Sequence, residues 1–208
     1  MTQPTPLWQD ATSASDLLSS HVDSLARLMS GLDLTAIEQA GELLDQASQN
    51  GSTIYTAGNG GSAATALHIA ADLSWGRRMG DQNRPKAISL AANSPIMTAL
   101  ANDVSFDDVF TEQMISLFRR GDLLIVISAS GNSENVLRAA EFAKTHGGST
   151  IAMSGFDGGK LNGACDVNIH VPTPSRAYEL VEDVHHSVCH MLANYLKFQA
   201  AARAKSGN

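Results

Sequence analysis

The chain has 208 residues, a formal net charge of −7, and 43% hydrophobic but only 5% aromatic residues. Such a length supports one domain with a sizeable core, here aliphatic and rich in alanine. The acidic balance argues against a nucleic-acid partner, no apolar run reaches the length of a membrane span, and the polar start over 1–10 does not read as a secretory signal. A cytoplasmic protein is expected. Cys165 and Cys189 match no metal or redox spacing, and Cys189 falls within an apolar helical pattern.

After a loose tail over 1–12, Leu17, Leu18, Val22, Leu25, Leu28 and Met29 recur at helical spacing, and Gly31 ends that helix. Thr35-Ala-Ile-Glu38 reads as a capping box opening a second helix that closes at Asn50-Gly51. The two helices form a hairpin whose apolar stripe packs on the domain or on another subunit. Thr53 to Ala57 is a short strand running into Gly58-Asn-Gly-Gly-Ser62, and a helix follows from Ala63 to about Leu73. The three glycines let backbone approach a ligand closely, but the spacing is not that of a dinucleotide loop.

A polar loop over 76–85 carries Arg77, Arg78 and Arg84. Lys86 to Ala91 is the next strand, and Ser94 with Pro95 reads as N-cap and first residue of a helix. Phe106 to Phe118 is a further amphipathic helix, with Arg119-Arg120 favouring its dipole. Leu123 to Ile127 is an unbroken apolar run, the pattern of a strand buried on both faces. It runs into Ser128-Ala-Ser-Gly-Asn-Ser133 and then a helix marked by Val136, Leu137, Ala140 and Ala143. A strand, a small-residue loop and a helix N-terminus together make an anion cradle, since unpaired N–H groups and the helix dipole face the ligand. The loop holds three hydroxyls and no Lys, which suits a sugar phosphate better than a triphosphate. It is equally readable as an ordinary serine-capped turn.

Two more strands, Ser149 to Met153 and Asp166 to Val171, flank a loop over 155–159 and a helical turn from Lys160 to Gly163. Pro172 and Pro174 break the chain before a long last helix from Ser175 to about Ala202. The alternation gives a parallel α/β sandwich, with both small-residue loops at strand carboxyl ends and converging on one pocket. Beside them, His68 and Asp72 share a helix face. Glu182, His186 and His190 form an i, i+4, i+8 row on the last helix, where Asp183 and His185 also lie. Such groups can hold zinc or another divalent metal, or shuttle protons without one.

In this order, Gly58–Ser62, His68-Ile-Ala-Ala-Asp72, Ala101-Asn-Asp103, Ile127–Ser133, Ser154-Gly-Phe-Asp-Gly-Gly159 and the histidine-rich last helix resemble the sugar isomerase (SIS) domain, and within it the bacterial phosphoheptose isomerases. The resemblance covers nearly the whole chain. It implies a three-layer α/β sandwich with a five-stranded parallel sheet. It implies one SIS domain over 1–208, made of a helical hairpin (1–50), an α/β core (51–174) and a C-terminal helix (175–202). It implies isomerisation of sedoheptulose 7-phosphate to D-glycero-D-manno-heptose 7-phosphate through an enediol, in a homotetramer with interfacial active sites.

By the same resemblance Ser128, Ser130 and Ser133 bind phosphate, and Asn59, Gly60, Ser62, Asn93 and Glu182 contact the substrate. His68, Asp72, Glu182 and His190 hold one divalent metal, usually Zn2+, and Asp72 and His190 serve as acid and base. The chain departs from the family pattern in having Asp72 for Glu, Glu182 for Gln and Ala129 for Thr. The first two change reach and add a negative charge, so Glu182 is a candidate base in its own right. Two other functions fit the same domain. One is an isomerase of another sugar phosphate. The other is a non-enzymatic regulator of the replication-initiator-associated type, a relative that lacks a histidine at the position of His190.

Overall fold

A computed structural model describes residues 11–75 and 84–206. Arg77 and Arg78 of the polar loop, and most of the N-terminal tail, lie outside the described residues. The helical hairpin is α1 (Ala14–Ser30) and α2 (Leu34–Gln49). Then come β1 (Thr53–Gly58), α3 (Gly60–Trp75), β2 (Lys86–Ser89), α4 (Ser94–Asp103) and α5 (Thr111–Leu117). The remainder is β3 (Leu123–Ser128), α6 (Glu134–Thr145), β4 (Ser149–Ser154), β5 (Val167–His170) and α7 (Tyr178–Ser206).

All five strands pair in parallel, in the order β2-β1-β3-β4-β5. β3 is central and every residue in it is buried, as its apolar run requires. Its side chains alternate between two layers. Leu123, Ile125 and Ile127 join Ile54, Ile151 and Ile169 beneath α2, α3 and α7, whereas Leu124 and Val126 join Tyr55, Ala57 and Ala152 beneath α5 and α6. The chain leaves β1 in one direction and β3 in the other. Crossovers of one hand therefore put α3 and α6 on opposite faces of the sheet. Between β1 and β3 the strand order reverses, and a crevice opens beyond their carboxyl ends.

Several element boundaries depart from the sequence reading. Asp33 caps α2, accepting from the Thr35 and Ala36 amides at 2.9 and 3.2 Å, so no capping box forms at Thr35. Asn93, not Ser94, caps α4 by accepting from Ile96 N at 3.3 Å, which shifts Pro95 one place into the helix. The single helix expected from Phe106 splits into a 3-10 turn (Phe106–Asp108) and α5. Ser105 caps the turn, and Arg138 of α6 holds Asp108 by two bonds of 2.8 and 2.9 Å. α7 starts at Tyr178 because Pro172 and Pro174 precede a left-handed Arg176 (φ 72°).

α7 ties the hairpin to the core. Arg203 grips Asp45 of α2 with bonds of 2.6 and 2.9 Å, and Gly41 of α2 lies against the Tyr195 ring, with no space for a Cβ. Nearer the crevice, His21 of α1 meets Asp183 at 3.1 Å.

Candidate active site

The serine loop follows β3. Gly131 takes φ +63°, and its backbone lies so close to the Gly158 carbonyl that no side chain fits. The loop after β4 pins it further, because Leu161 N donates to Gly131 O (2.9 Å) and Lys160 N to Asn132 Oδ1 (3.1 Å). Ser133 occupies the N-cap of α6 without capping it. Its hydroxyl lies 3.2 Å from that of Ser128. Hydroxyls and helix N–H groups thus meet in one rigid concavity, the arrangement an anion needs.

The glycine loop after β1 forms the opposite wall. Asn59 and Asn135, at the starts of α3 and α6, exchange amide hydrogen bonds of 2.8 and 3.0 Å, which locks the two loops together. The resulting pocket has a volume of about 310 Å³. It is lined by Asn59, Gly60, Gly61 and Ser62 from one loop and by Ser128, Ala129, Ser130 and Ser133 from the other. Tyr178 and Glu182 of α7 close it. The Glu182 carboxylate packs directly on Gly61. Burial raises its pKa above the usual carboxylate value, and the nearby Asp183 and Glu179 charges raise it further. A larger cavity of about 450 Å³, between α1 and the segment 172–180, contains neither serine loop nor histidine. The smaller pocket is the one that brings the serine loop and the Glu182 carboxylate together.

Along the α3–α7 seam from this pocket lies the histidine cluster. His68 Nε2 is 2.9 Å from His190 Nε2 and 3.2 Å from Asp72 Oδ2, and the His190 nitrogen is 3.8 Å from the same carboxylate oxygen. Ligand atoms around a tetrahedral ion with bonds of about 2.1 Å sit roughly 3.4 Å apart. These two imidazoles and the carboxylate therefore fit a divalent metal in both chemistry and spacing. His186 adds a third imidazole, and its ring centroid lies 4.0 Å from that of His68. Burial, then its two histidine neighbours, hold its pKa below the usual value.

His68, Asp72 and His190 thus come together, and Asn59, Gly60, Ser62, Ser128, Ser130, Ser133 and Glu182 come together around the pocket. Asn93 stands apart, exposed, with its side chain spent on capping α4. Sequence reasoning placed His186 in the histidine row but not among the ligands, and it missed Tyr178 and Asn135. The i, i+4 spacing to His190 pointed to His186. Nothing local marks the other two, whose partners Phe156 and Asn59 lie in loops distant in sequence.

The profile described as the SIS domain matches residues 20–155. A phosphoheptose isomerase of Aliarcobacter butzleri is 37% identical over 181 residues, which is 85% of this chain and 94% of that protein. One from Nitratiruptor is 42% identical over 151 residues, covering 73% and 79% respectively. The structure superposes on a phosphoheptose isomerase of Neisseria gonorrhoeae with a TM-score of 0.81 at 32% identity, covering 89% of this chain and 99% of that one.

Proposed function

The chain belongs to the SIS-domain family, within the phosphoheptose isomerases, and from that premise we propose that it interconverts sedoheptulose 7-phosphate and D-glycero-D-manno-heptose 7-phosphate for heptose synthesis. The observation that carries this is the placement, on the same two helices α3 and α7, of a serine-loop pocket of about 310 Å³ and a histidine–carboxylate cluster.

The Ser128, Ser130 and Ser133 hydroxyls and the α6 N-terminus hold the phosphate, and Asn59, Gly60 and Ser62 face the sugar chain. A carboxylate takes the proton from C1 of the ketose, and the electron pair moves into a C1–C2 double bond as O2 is protonated. Returning a proton to C2 while O1 loses its own completes the aldose. Glu182 is the carboxylate in the pocket, and its raised pKa suits it to this carbon base role. Asp72 is engaged with His68 and His190, and with no metal on its Nε2, His190 is the group to exchange protons with the substrate oxygens. His68, Asp72 and His190 would hold zinc, which would supply Lewis-acid stabilisation of negative charge on oxygen. The presence of His190 favours the enzyme over the regulatory reading.

The same reading carries the whole chain as one SIS unit, a cytoplasmic location and a homotetramer with active sites completed at subunit interfaces. Among the described residues no helix is long and apolar enough to cross a membrane. Leu18 and Val22 on one face of α1, 67% and 64% exposed, support the tetramer.

Incubation with sedoheptulose 7-phosphate in D2O, followed by NMR, tests the function. An aldoheptose phosphate carrying deuterium at C2 is expected. No turnover of this sugar, with turnover of a five- or six-carbon phosphate, would replace the substrate. No turnover of any would remove the enzyme.

A further inference from the structure

We propose that His186 is a ligand of the metal site, forming with His68 and His190 a three-imidazole set beside Asp72 and leaving the Glu182 carboxylate to the sugar-phosphate pocket. The inference deepens the metal-assisted reading above and rests on it. Four observations carry it.

The first is convergence. One ring nitrogen from each of His68, His186 and His190 lies within 4.8 Å of the other two. No other group of three or more His, Cys, Asp or Glu side chains that includes His186 converges in this way among the described residues. The second is ring packing. With metal–nitrogen bonds of about 2.0–2.1 Å, imidazoles sharing a tetrahedral ion hold their ring centroids roughly 5 Å apart. His68 and His190 are 4.9 Å apart and His186 and His190 are 5.0 Å apart, both pairs nearly perpendicular. His68 and His186, at 4.0 Å, need only open by about 1 Å, a side-chain rotation rather than a backbone shift.

The third is helix register. His186 and His190 are i, i+4 on α7, and His68 and Asp72 are i, i+4 on α3, so each helix presents one two-residue face to the other. Two rigid helices position such a set better than loops do.

The fourth is the placement of Glu182. It sits one turn before His186, about 6 Å along the helix axis. Its carboxylate packs on Gly61 at the start of α3, inside the serine-loop pocket. A ligand set with Glu182 in place of His186 would require this carboxylate to leave the pocket wall. The His186 set also carries one negative charge fewer, so a bound divalent ion keeps a net positive charge beside a phosphorylated substrate.

The test reads the metal directly. The full-length protein is stripped with chelator and reloaded with cobalt(II). Visible absorption reports a four-coordinate ion, and competition with a chromophoric chelator gives the zinc affinity. Side chains that only support ligands cost 10–100-fold in affinity when removed. His186→Leu is therefore expected to lose about 100-fold or more and to change the cobalt spectrum, whereas Glu182→Gln should keep both affinity and spectrum within about threefold of the parent. The reverse pattern, or a parent protein that takes up no cobalt or zinc, overturns the proposal. Should His186→Leu misfold by circular dichroism, zinc-edge X-ray absorption of the unaltered protein decides. Three imidazoles bear the proposal out and two overturn it. Turnover of sedoheptulose 7-phosphate by the chelated protein is measured alongside. Isomerisation that survives full metal removal refutes the metal-assisted reading, while a wrong ligand set with metal-dependent turnover refutes only the role of His186.

Discussion

Single side chains divide the labour of the pocket, and their substitutions should separate binding from chemistry. Ser130 lines the pocket, and the role proposed for it is phosphate binding, a contact that is the same in ground and transition states. Ser130→Ala should raise KM several-fold with kcat little changed, and a large loss of kcat at constant KM would contradict that role. Glu182 is expected to act at carbon. Glu182→Gln keeps the shape and removes the base, so kcat should fall by about 100-fold or more. A variant that retains its kcat would move the role to Asp72. The placement of these side chains was largely legible in the chain, because serines after a buried strand and histidines at i, i+4 fix their positions by spacing. Glu182 was legible as a substrate contact, but not the wall it packs on. Its carboxylate turns toward Gly61, a residue 121 positions earlier, and only the packing of α7 on α3 brings the two together.

Among elements, α7 does most to join the parts. Its face toward the sheet buries His185 completely, with Nε2 3.2 Å from the Ser154 carbonyl and Nδ1 without a partner. Burial pushes the pKa of this imidazole down to about 4. The unfolded chain takes up a proton near pH 6.5 that the folded chain refuses until about pH 4, so stability is present above 6.5 and is lost as pH falls through that window. The loss by pH 4 should be of order 3 kcal/mol. Denaturant titrations at neutral and acid pH should show it, and His185→Asn should flatten the dependence even if it lowers stability at neutral pH. A dependence unchanged in the variant would place the acid sensitivity elsewhere. The sequence announced α7 as a long helix after two prolines, and its apolar spacing marked the buried face. The start was misplaced by three residues because the left-handed turn at Arg176 has no glycine to betray it. The split at Phe106 was hidden for a similar reason, since the Arg138–Asp108 pair that holds the turn joins segments 30 positions apart.

At the scale of the whole molecule, the alternation of strands and helices made the parallel sheet legible, while the strand order was not. Local pattern cannot say that β1 lies between β2 and β3, because that choice is made by the hand of the crossovers and the faces their helices cover. The exposed apolar face of α1 belongs to this scale as well. Replacing Leu18 and Val22 together by Lys should lower the mass seen by light scattering from a tetramer toward smaller species, with the circular dichroism spectrum preserved. An unchanged mass would put the contact on another face.

The strand order also governs how the protein reaches its native state. Neighbours at the centre of the sheet, such as Ile54 and Leu123, are separated by about 70 positions, and among the described residues no β-hairpin exists to start the pairing. The two loops that build the pocket leave these same strands, so the pocket cannot exist before the most distant pairing closes. Helical signal should therefore return early in refolding and turnover only with the slowest phase. Activity that reappears together with the first helical signal would mean that the central pair forms in the initial collapse, and that the long closure is not what limits the rate.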